Sequence, residues 1–310
     1  HIDQNSLYRS NNHWMKRTTF RLAESANIKA LGLQVNAALD GYRQHQEHPY
    51  TSTSSSYYNV FSHINDKSPM IPGVNSLGLP YNVTDNPVAE TAGDAGYQRS
   101  IVNVINGKGE LVWSCLWVDG LKVRLASNYR YYGETYKNWR KDAAQYDWDS
   151  DVAQYANKPQ LSHTSGTGYS YTNQAFLEYA NTFGQHNISA LGGFEQYYEK
   201  GESYGATRIG YDFPIDQMNV GPANDMTNSG SESELGRAAW IGQLKYNYAN
   251  KYYAEASIRY DGSDYFAPGH RWGAFYSGAL GWVITEEKFM KSLVEKNIFN
   301  SLKLRASYGQ

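Results

Sequence analysis

Hydrophobic and polar side chains alternate along much of this chain, most regularly in the ten residues from Tyr252 to Asp261. Because successive side chains of a β-strand point to opposite sides, such a run predicts a strand with two different faces. About ten residues is also the length that a tilted strand needs to cross a lipid bilayer. One predicted face consists of Tyr252, Ala254, Ala256, Ile258 and Tyr260, and the other carries Glu255, Arg259 and Asp261.

Similar alternation predicts about ten strands in five pairs. Short connections at Asp119-Gly120 and Ala249-Asn250 join two of the pairs, and Asp-Gly favours a type I′ turn because both central residues need positive φ. The stretch 286–300 predicts a short helical segment on the same side as these turns. The predicted strands are 17–26, 30–44, 110–118, 121–132, 168–182, 187–200, 237–248, 251–262, 273–285 and 301–309.

Three long polar segments, at 45–99, 133–167 and 201–235, are predicted to be loops because they are rich in Pro, Gly, Ser and Asn. Long loops on one side and short turns on the other are typical of outer-membrane β-barrels. The predicted fold class is therefore all-β, an antiparallel up-and-down transmembrane β-barrel. The predicted lumen face carries both signs of charge, at Arg124, Arg130, Glu195, Lys245, Glu255, Arg259 and Arg305.

The amino-acid composition narrows the choice of protein class and of partner. The chain has 28 tyrosines, and many of them cluster toward strand ends, which is typical of the aromatic girdles of such barrels, although tyrosine is also a good strand former. A net charge of −2 gives no reason to expect a nucleic-acid partner. The single cysteine, Cys115, excludes an internal disulfide framework, and its apolar surroundings predict a buried or lipid-facing thiol. Both ends of the chain look cut from a longer protein.

No arrangement of residues points to catalysis, a metal or a cofactor, so we expect a protein that is not an enzyme. Asp147, Asp149 and Asp151 resemble the start of a calcium loop, but Val152 and Lys158 stand where such a loop needs Gly and Glu. Exposed loop aromatics beside Asn and Asp are the chemistry of a sugar- or peptide-binding loop, or they pack the loop onto the barrel mouth. These candidate substrate-binding residues are Tyr57, Tyr58, Phe61 and Tyr81.

The segment 240–310 resembles the barrel of SusC/RagA-type TonB-dependent outer-membrane transporters. Its ordered motifs include the L-G-W run at 280–282, the E-E-x-F-M-K run at 286–291 and the final L-K-L-R-A-S-Y-G run. The resemblance implies that the motif residues support barrel structure and are not a substrate site. The motif residues at the end of one strand and the start of the next are Arg259, Asp261, Gly262, Ser263, Phe266, Arg271, Trp272 and Gly273.

The resemblance also implies the architecture and partners of the whole protein. Residues 1–310 would be part of one 22-stranded barrel domain, without the plug domain and without the first and last strands. The protein would lie in the outer membrane of a Gram-negative bacterium of the Bacteroidetes type and contact outer-membrane lipid. It would import an oligosaccharide or a peptide together with a SusD-like surface lipoprotein, driven by the TonB complex through the absent plug. The alternative is a secreted or surface all-β domain that binds carbohydrate or acts as an adhesin.

Overall fold

The computed structural model describes residues 2–4, 13–50, 56–92, 95–141, 143–155, 158–297 and 299–310. These residues form one sheet of eleven antiparallel strands, and each strand pairs with its neighbours in the sequence. The strands are β1 (Ile2–Gln4), β2 (Trp14–Ile28), β3 (Leu33–Pro49), β4 (Gly96–Ser114), β5 (Leu121–Arg140), β6 (Gln160–Phe183), β7 (His186–Ile209), β8 (Met226–Tyr248), β9 (Tyr252–Ser263), β10 (Trp272–Val283) and β11 (Lys303–Gly309).

Three short α-helices lie outside the sheet: α1 (Ser56–Asp66), α2 (Pro87–Glu90) and α3 (Lys291–Glu295). Asn86 caps α2, because its side chain accepts a hydrogen bond from the backbone N–H of Val88 at 3.0 Å. Single 3₁₀ turns lie at Lys29–Leu31, Met218–Val220, Ile284–Glu286 and Lys288–Met290. The helical segment predicted at 286–300 is thus confirmed, whereas α1 lies in a stretch where the sequence predicted no regular element.

The up-and-down antiparallel order confirms the predicted fold class. All ten predicted strands are present, and β1 is an addition of three residues. Within the described residues the sheet is open, since β1 and β11 pair on one side only. The connections at 50–95, 141–159, 210–225 and 264–271 lie at one end of the sheet, here called the long-loop end. The opposite end, with the other connections, is the short-turn end.

The predicted loop bounds were wrong for two of the three long segments. Strands β5 and β6 continue into the segment predicted as a loop at 133–167, and β7 and β8 continue into 201–235. The true connections, 141–159 and 210–225, are much shorter. The added residues are polar on both sides of the strand, so the alternation that marks a two-faced strand is missing although the backbone ladder continues.

The two tight turns differ. Ala249 and Asn250 both have positive φ, 54° and 56°, and the N–H of Lys251 donates to the carbonyl of Tyr248 at 2.9 Å, which is a type I′ turn. The type I′ turn expected at Asp119-Gly120 is wrong, since only Gly120 has positive φ. There the strands end at Ser114 and resume at Leu121, because residues 115–118 form part of a wider turn in which Cys115 is buried.

Candidate functional site

The register of the strands places the charged side chains on one face of the sheet, here called the charged face. Lys245 lies directly opposite Glu255, and Glu195 lies opposite Ala239 on the strand that carries Lys245. Because directly opposed residues share a face, this register links the positions across the sheet. All seven residues predicted for the lumen lie on the charged face: Arg124, Arg130, Glu195, Lys245, Glu255, Arg259 and Arg305.

Ion pairs and hydrogen bonds connect neighbouring strands on the charged face. The guanidinium of Arg124 lies between two carboxylates, with Nη1 3.5 Å from Oε1 of Glu110 and Nε 3.0 Å from Oε1 of Glu178. The Nζ of Lys245 lies 3.6 Å from Oε1 of Glu255. Because opposite charges alternate across the strands, the face is polar without a large net charge, and it suits a hydrated solute rather than a single ion.

Several cavities open on the charged face, and two of them lie between β6 and β11. The upper cavity, of about 830 Å³, lies toward the long-loop end, and the lower cavity, of about 790 Å³, lies toward the short-turn end. In the upper cavity, Nη2 of Arg259 lies 3.1 Å from Oδ1 of Asp261, and the guanidinium of Arg237 lies 5.0 Å from the centre of the Tyr197 ring. The wall thus combines cationic, anionic and aromatic groups, which can contact a polar solute that also has apolar surfaces.

The motif residues of β9 and β10 gather around this upper cavity, at the connection between the two strands. Gly262 lies opposite Trp272, and a Cβ on Gly262 would lie 2.7 Å from the indole ring, so only glycine lets the ring cover the backbone. The N–H of Ser263 donates to the carbonyl of Arg271 at 2.9 Å, which closes the connection. Each of these contacts positions the backbone of the turn.

The remaining motif residues lie in or beside the same connection. The Nε of Arg271 donates to the carbonyl of Phe266 at 3.1 Å. Phe266, Arg271 and Gly273 line the upper cavity together with Arg259 and Asp261. The motif therefore shapes the turn and also supplies part of the cavity wall, a combination that spacing in the sequence did not reveal.

The candidate loop aromatics are only partly described. The side chains of Tyr57, Tyr58 and Phe61 lie outside the described residues. The ring of Tyr81 packs edge-on against Trp148 with a centroid distance of 5.6 Å. Tyr81 therefore joins two long loops, and the half-exposed Trp148 ring, which the sequence analysis did not single out, is the one available to a ligand.

These two loops are also joined by buried amide hydrogen bonds. Asn75 is nearly fully buried, and its Nδ2 donates to the carbonyls of Asp147 and Ser150, each at 3.0 Å. Its Oδ1 accepts from the backbone N–H groups of Leu77 and Leu79. Because a buried amide left without partners would cost about 1–3 kcal/mol, these bonds hold the loops at 67–92 and 143–155 together as one platform.

A third loop, 210–225, folds against the side of the sheet. Tyr211 packs on Trp139 with ring centroids 5.0 Å apart, and Leu161 completes a small buried cluster. Asp216 accepts hydrogen bonds from the Tyr97 hydroxyl and from Nζ of Lys137, the latter at 2.8 Å. Burial favours a higher pKa for the Asp216 carboxyl, but the hydrogen bonds and charge of its partners outweigh burial and lower that pKa.

One cluster of possible metal ligands lies in the loop that follows β3. His63, Asp85 and Glu90 each bring a ligand atom within 4.8 Å of the others, and Nδ1 of His63 lies 2.9 Å from Oε2 of Glu90. Burial raises the pKa of the Glu90 carboxyl. Asp85 and Glu90 are distant from His63 in sequence and come close to it where α1 packs on α2, so the sequence gives no local signal of this cluster. The hydrogen bond between His63 and Glu90 accounts for the contact.

The other face of the sheet, here called the apolar face, exposes a band of large aliphatic side chains. Ile258 is 53% exposed and Leu280 is 66% exposed, although both lie in the middle of strands. A water-soluble monomer seldom exposes a continuous apolar patch of this extent. The aliphatic members of the band are Leu22, Leu39, Leu125, Leu177, Leu244, Ile258, Leu280 and Leu304.

Aromatic rings border this band at both ends. On the long-loop side, Tyr129, Tyr169 and Tyr198 follow one another across three strands, with successive ring centroids 6.1 and 6.0 Å apart. On the short-turn side, Tyr248 stacks on Tyr252 at 6.4 Å. Rings at both borders of an aliphatic band are what a bilayer-spanning sheet requires.

Just beyond the tyrosine border the apolar face becomes ionic. Lys200 is two residues past Tyr198 on the same strand, and its Nζ lies 3.0 Å from Glu234 and 3.6 Å from Glu232. The aliphatic band thus ends at the tyrosines, and the strands continue for many residues toward the long-loop end. In the described part of the chain, no helix is both long and apolar enough to span a membrane.

Comparison with known proteins points to one group of receptors. No family model matches the chain. TonB-dependent receptor P39 of Formosa agariphila is 35% identical over 146 residues, which make up 46% of this chain and 14% of that receptor. TonB-dependent receptor SusC of Bacteroides thetaiotaomicron is 28% identical over 195 residues, or 62% of this chain and 16% of the relative. The aligned regions thus span only a small part of the length of these relatives.

Solved structures give the same answer for the fold. A structure of the RagAB peptide transporter matches 99% of this chain and 34% of its own chain, with a TM-score of 0.70 and 20% identity. A structure of the RagAB peptide importer in the closed-closed state matches with a TM-score of 0.71 and 19% identity, over 99% and 34% of the two chains. The sequence relatives and the fold agree, and the chain is similar to part of the β-barrel of SusC/RagA-type TonB-dependent transporters.

Proposed function

We propose that this chain forms part of the barrel wall of an outer-membrane importer that moves a polar nutrient, an oligosaccharide or a peptide, into the periplasm. The observation that carries the proposal is the two-faced sheet, with an exposed aliphatic band bordered by aromatic rings on one side and paired charges and cavities on the other. The apolar face would contact outer-membrane lipid, and the charged face would line the lumen. The whole of 1–310 would belong to one barrel domain.

The transport mechanism follows from the same geometry. A lumen wall with alternating charges keeps a water layer through which a hydrophilic solute can pass, whereas a wall of one sign would hold counter-ions. Energy would come from the TonB complex, and a SusD-like surface lipoprotein would deliver the substrate at the long-loop end. The names of the relatives, TonB-dependent receptor SusC and the RagAB peptide transporter, support this assignment.

A secreted carbohydrate-binding or adhesin domain is the competing function. The half-exposed Trp148 ring favours it, since aromatic rings on surface loops stack on sugars. The aliphatic band opposes it, because such a patch would aggregate in water. A full-length protein that stays folded and monomeric in buffer without detergent would exclude the importer.

The membrane placement can be tested with one pair of adjacent residues. Leu244 lies on the apolar face and Lys245 on the charged face, and Cys115 is the only native cysteine. In a cysteine-free form of the full-length protein, which includes Cys115→Ser, a fluorophore on Leu244→Cys should be quenched by brominated lipid in vesicles. The same fluorophore on Lys245→Cys should respond to a water-soluble quencher instead. Equal responses at the two positions would contradict the assignment of faces.

The import step can be tested in cells that express the full-length protein. Uptake of a labelled oligosaccharide or peptide mixture should be lost when TonB is removed and when the gene of the surface lipoprotein is deleted. Uptake that persists without TonB would contradict energised import, and uptake that persists without the lipoprotein would contradict that partnership.

A further inference from the structure

Strand β8 extends past the end of β9 toward the long-loop end, and this extension has an unpaired edge. Residues from Met226 pair with β7, whereas pairing with β9 begins only at Arg237. Within the described residues, no strand pairs with the second edge of β8 between Met226 and Leu235, and all but Leu235 are exposed. About ten residues of backbone thus present free hydrogen-bonding groups, an arrangement that sheet proteins usually avoid.

The direction of these groups follows from Gly236. Its N–H donates to Oδ2 of Asp264 at 2.7 Å, and its carbonyl accepts from the N–H of Asp264 at 3.1 Å, so both groups of Gly236 point to the unpaired side. Backbone groups of alternate residues in a strand point the same way. The outward-pointing positions are therefore Glu234, Glu232, Gly230 and Asn228, which repeat with the spacing of an extended peptide.

Side chains along this edge leave room for another strand and give it a charge preference. The residues next to the two glutamates are small, namely Ser229, Gly230, Ser231 and Ser233, so no bulky group covers the backbone there. The side chains of Glu232 and Glu234 are 69% and 53% exposed and share a single cation, Lys200. A strand with a basic side chain opposite them would supply the second cation.

The free edge leads directly into the upper cavity. Arg237, the first residue of β8 that pairs with β9, lines that cavity together with Ser263 and Phe266. A strand added to β8 would therefore run from the long-loop end down to the cavity on the charged face. Since Glu232 and Glu234 project on the apolar face and Arg237 on the charged face, alternate side chains of such a strand would face the two glutamates and the side of the cavity.

We propose that the edge at Met226–Leu235 binds an extended peptide substrate by strand addition, with basic residues of the peptide facing Glu232 and Glu234. The backbone supplies affinity for any extended peptide, and the two glutamates select for positive charge. This inference rests on the proposed import function and names one substrate class for it.

The test uses the full-length protein in detergent and a fluorescent octapeptide with lysine at alternate positions. Gly230→Pro removes an N–H that points to the free edge and that β7 does not use, so the sheet should survive while peptide affinity falls about tenfold. Gly230→Ala keeps the N–H and should bind as the unaltered protein does. The double variant Glu232→Gln, Glu234→Gln should bind several-fold more weakly, and an octapeptide with glutamate in place of lysine should bind weakly to every form.

Hydrogen exchange gives a second readout that does not depend on a variant. Peptide should slow exchange at the amides of Glu232 and Glu234, whereas the amides of Ser231 and Ser233 face β7 and should be protected with or without peptide. Unchanged binding in Gly230→Pro, or no protection of the two glutamate amides, would overturn the inference. Protection of those amides by the surface lipoprotein alone would reassign the edge to that partner.

Failure of the strand-addition proposal can be distinguished by experiment from failure of the proposed import function. If labelled Leu244→Cys is quenched by lipid and TonB-dependent uptake of an oligosaccharide is intact, the importer stands and only strand addition is wrong. If the lipid quenching is absent, the membrane placement itself is wrong.

Discussion

Strands β7 and β9 lie two apart in the same sheet, yet β7 has 24 residues and β9 has 12. A strand that crosses a bilayer at a tilt needs about ten. Under the proposed membrane placement, a crossing alone would account for the shorter strand. The longer one has twelve more residues, and these lie toward the long-loop end.

In the long strands β5, β6 and β7, the half near the short turns and the half near the long loops expose different side chains on the apolar face. Toward the short-turn end, Leu125 and Leu177 are exposed aliphatic side chains. Past the tyrosine border the same face carries Lys137 and Lys200, each in an ion pair. The lower halves thus expose apolar side chains on this face and the upper halves ionic ones, and the upper halves need other contacts to stay rigid. The loop 210–225 supplies such contacts for β4 to β6.

The largest expected effect comes from the cluster that holds this loop against the tall strands. Trp139→Ala removes the ring on which Tyr211 packs, and truncation of a buried tryptophan costs about 3–5 kcal/mol. We expect hydrogen-exchange protection of 210–225 to be lost while the short strands β9 and β10 keep theirs.

Trp148 offers a matched control for this change, since it is a half-exposed tryptophan that packs on Tyr81 in other loops. Trp148→Ala should leave the protection of 210–225 unaltered. If Trp139→Ala also leaves it unaltered, the loop is held by something other than the aromatic cluster.

The second prediction compares the two halves of the apolar face directly. Ile258→Arg places a charge in the middle of the aliphatic band and should destabilise the protein in vesicles by about 2–4 kcal/mol. Tyr204→Arg places the same residue on the same face beyond the tyrosine border, at an exposed position opposite Ser165 and Gly230, and should change stability by less than about 0.5 kcal/mol. Urea titration of folding into vesicles measures both, and equal costs would contradict the position of the border.

The third prediction concerns pH. Because the folded pKa of the Asp216 carboxyl is lowered from 3.8, its bonds to Lys137 and Tyr97 stabilise the docked loop above that pH and weaken as pH falls below it. Asp216 is 34% exposed, so we expect solvent to limit the contribution to about 1 kcal/mol or less.

Exchange of the 210–225 amides, corrected for the intrinsic rate at each pH, measures this contribution. The unaltered protein should lose protection as pH falls below about 4, in keeping with the ordinary pKa of Asp. Asp216→Asn should show weaker protection at pH 7 and a flat response to acid. If Asp216→Asn still loses protection in acid, a group other than Asp216 is responsible for the acid response.

The lower halves of the strands could be predicted from sequence, whereas the upper halves could not. From Tyr252 to Asp261 successive positions lie on the apolar face and the charged face in turn, so the residue types alternate and reveal the strand. At 162–167 both faces of β6 carry Ser, Thr, His or Gly, because both meet water. That composition is the same as that of a loop, and only pairing with β5 and β7 distinguishes them.

The candidate site could also be predicted only in part from the sequence. Charges on the charged face were predicted because they fall at every second position. Contacts that depend on loop packing left no local signal, such as Tyr97 with Asp216, which are 119 positions apart. The motif residues were recognised by resemblance, but their place in the wall of the upper cavity depends on the path of the 264–271 connection.

The smallest expected effect lies in the hairpin that joins the tall and short parts of the sheet. Ala249 has a φ of 54°, a left-handed conformation that is costly for a residue with a Cβ. Ala249→Gly should therefore stabilise the protein by about 0.5–1 kcal/mol, since glycine adopts that conformation without the clash. Asn250→Gly is the matched control, because Asn tolerates this conformation and its Oδ1 accepts a hydrogen bond from Nδ2 of Asn247, which glycine would lose.

We expect Asn250→Gly to be neutral or destabilising in the same urea titration. If the two variants shift the urea midpoint equally, strain at Ala249 does not limit the stability of the hairpin. A gain in stability that is confined to Ala249→Gly would show instead that the turn can be stabilised without a change in the length of either strand. The difference in length between β8 and β9 then depends on the residues beyond Arg237 and not on the turn that joins the two strands.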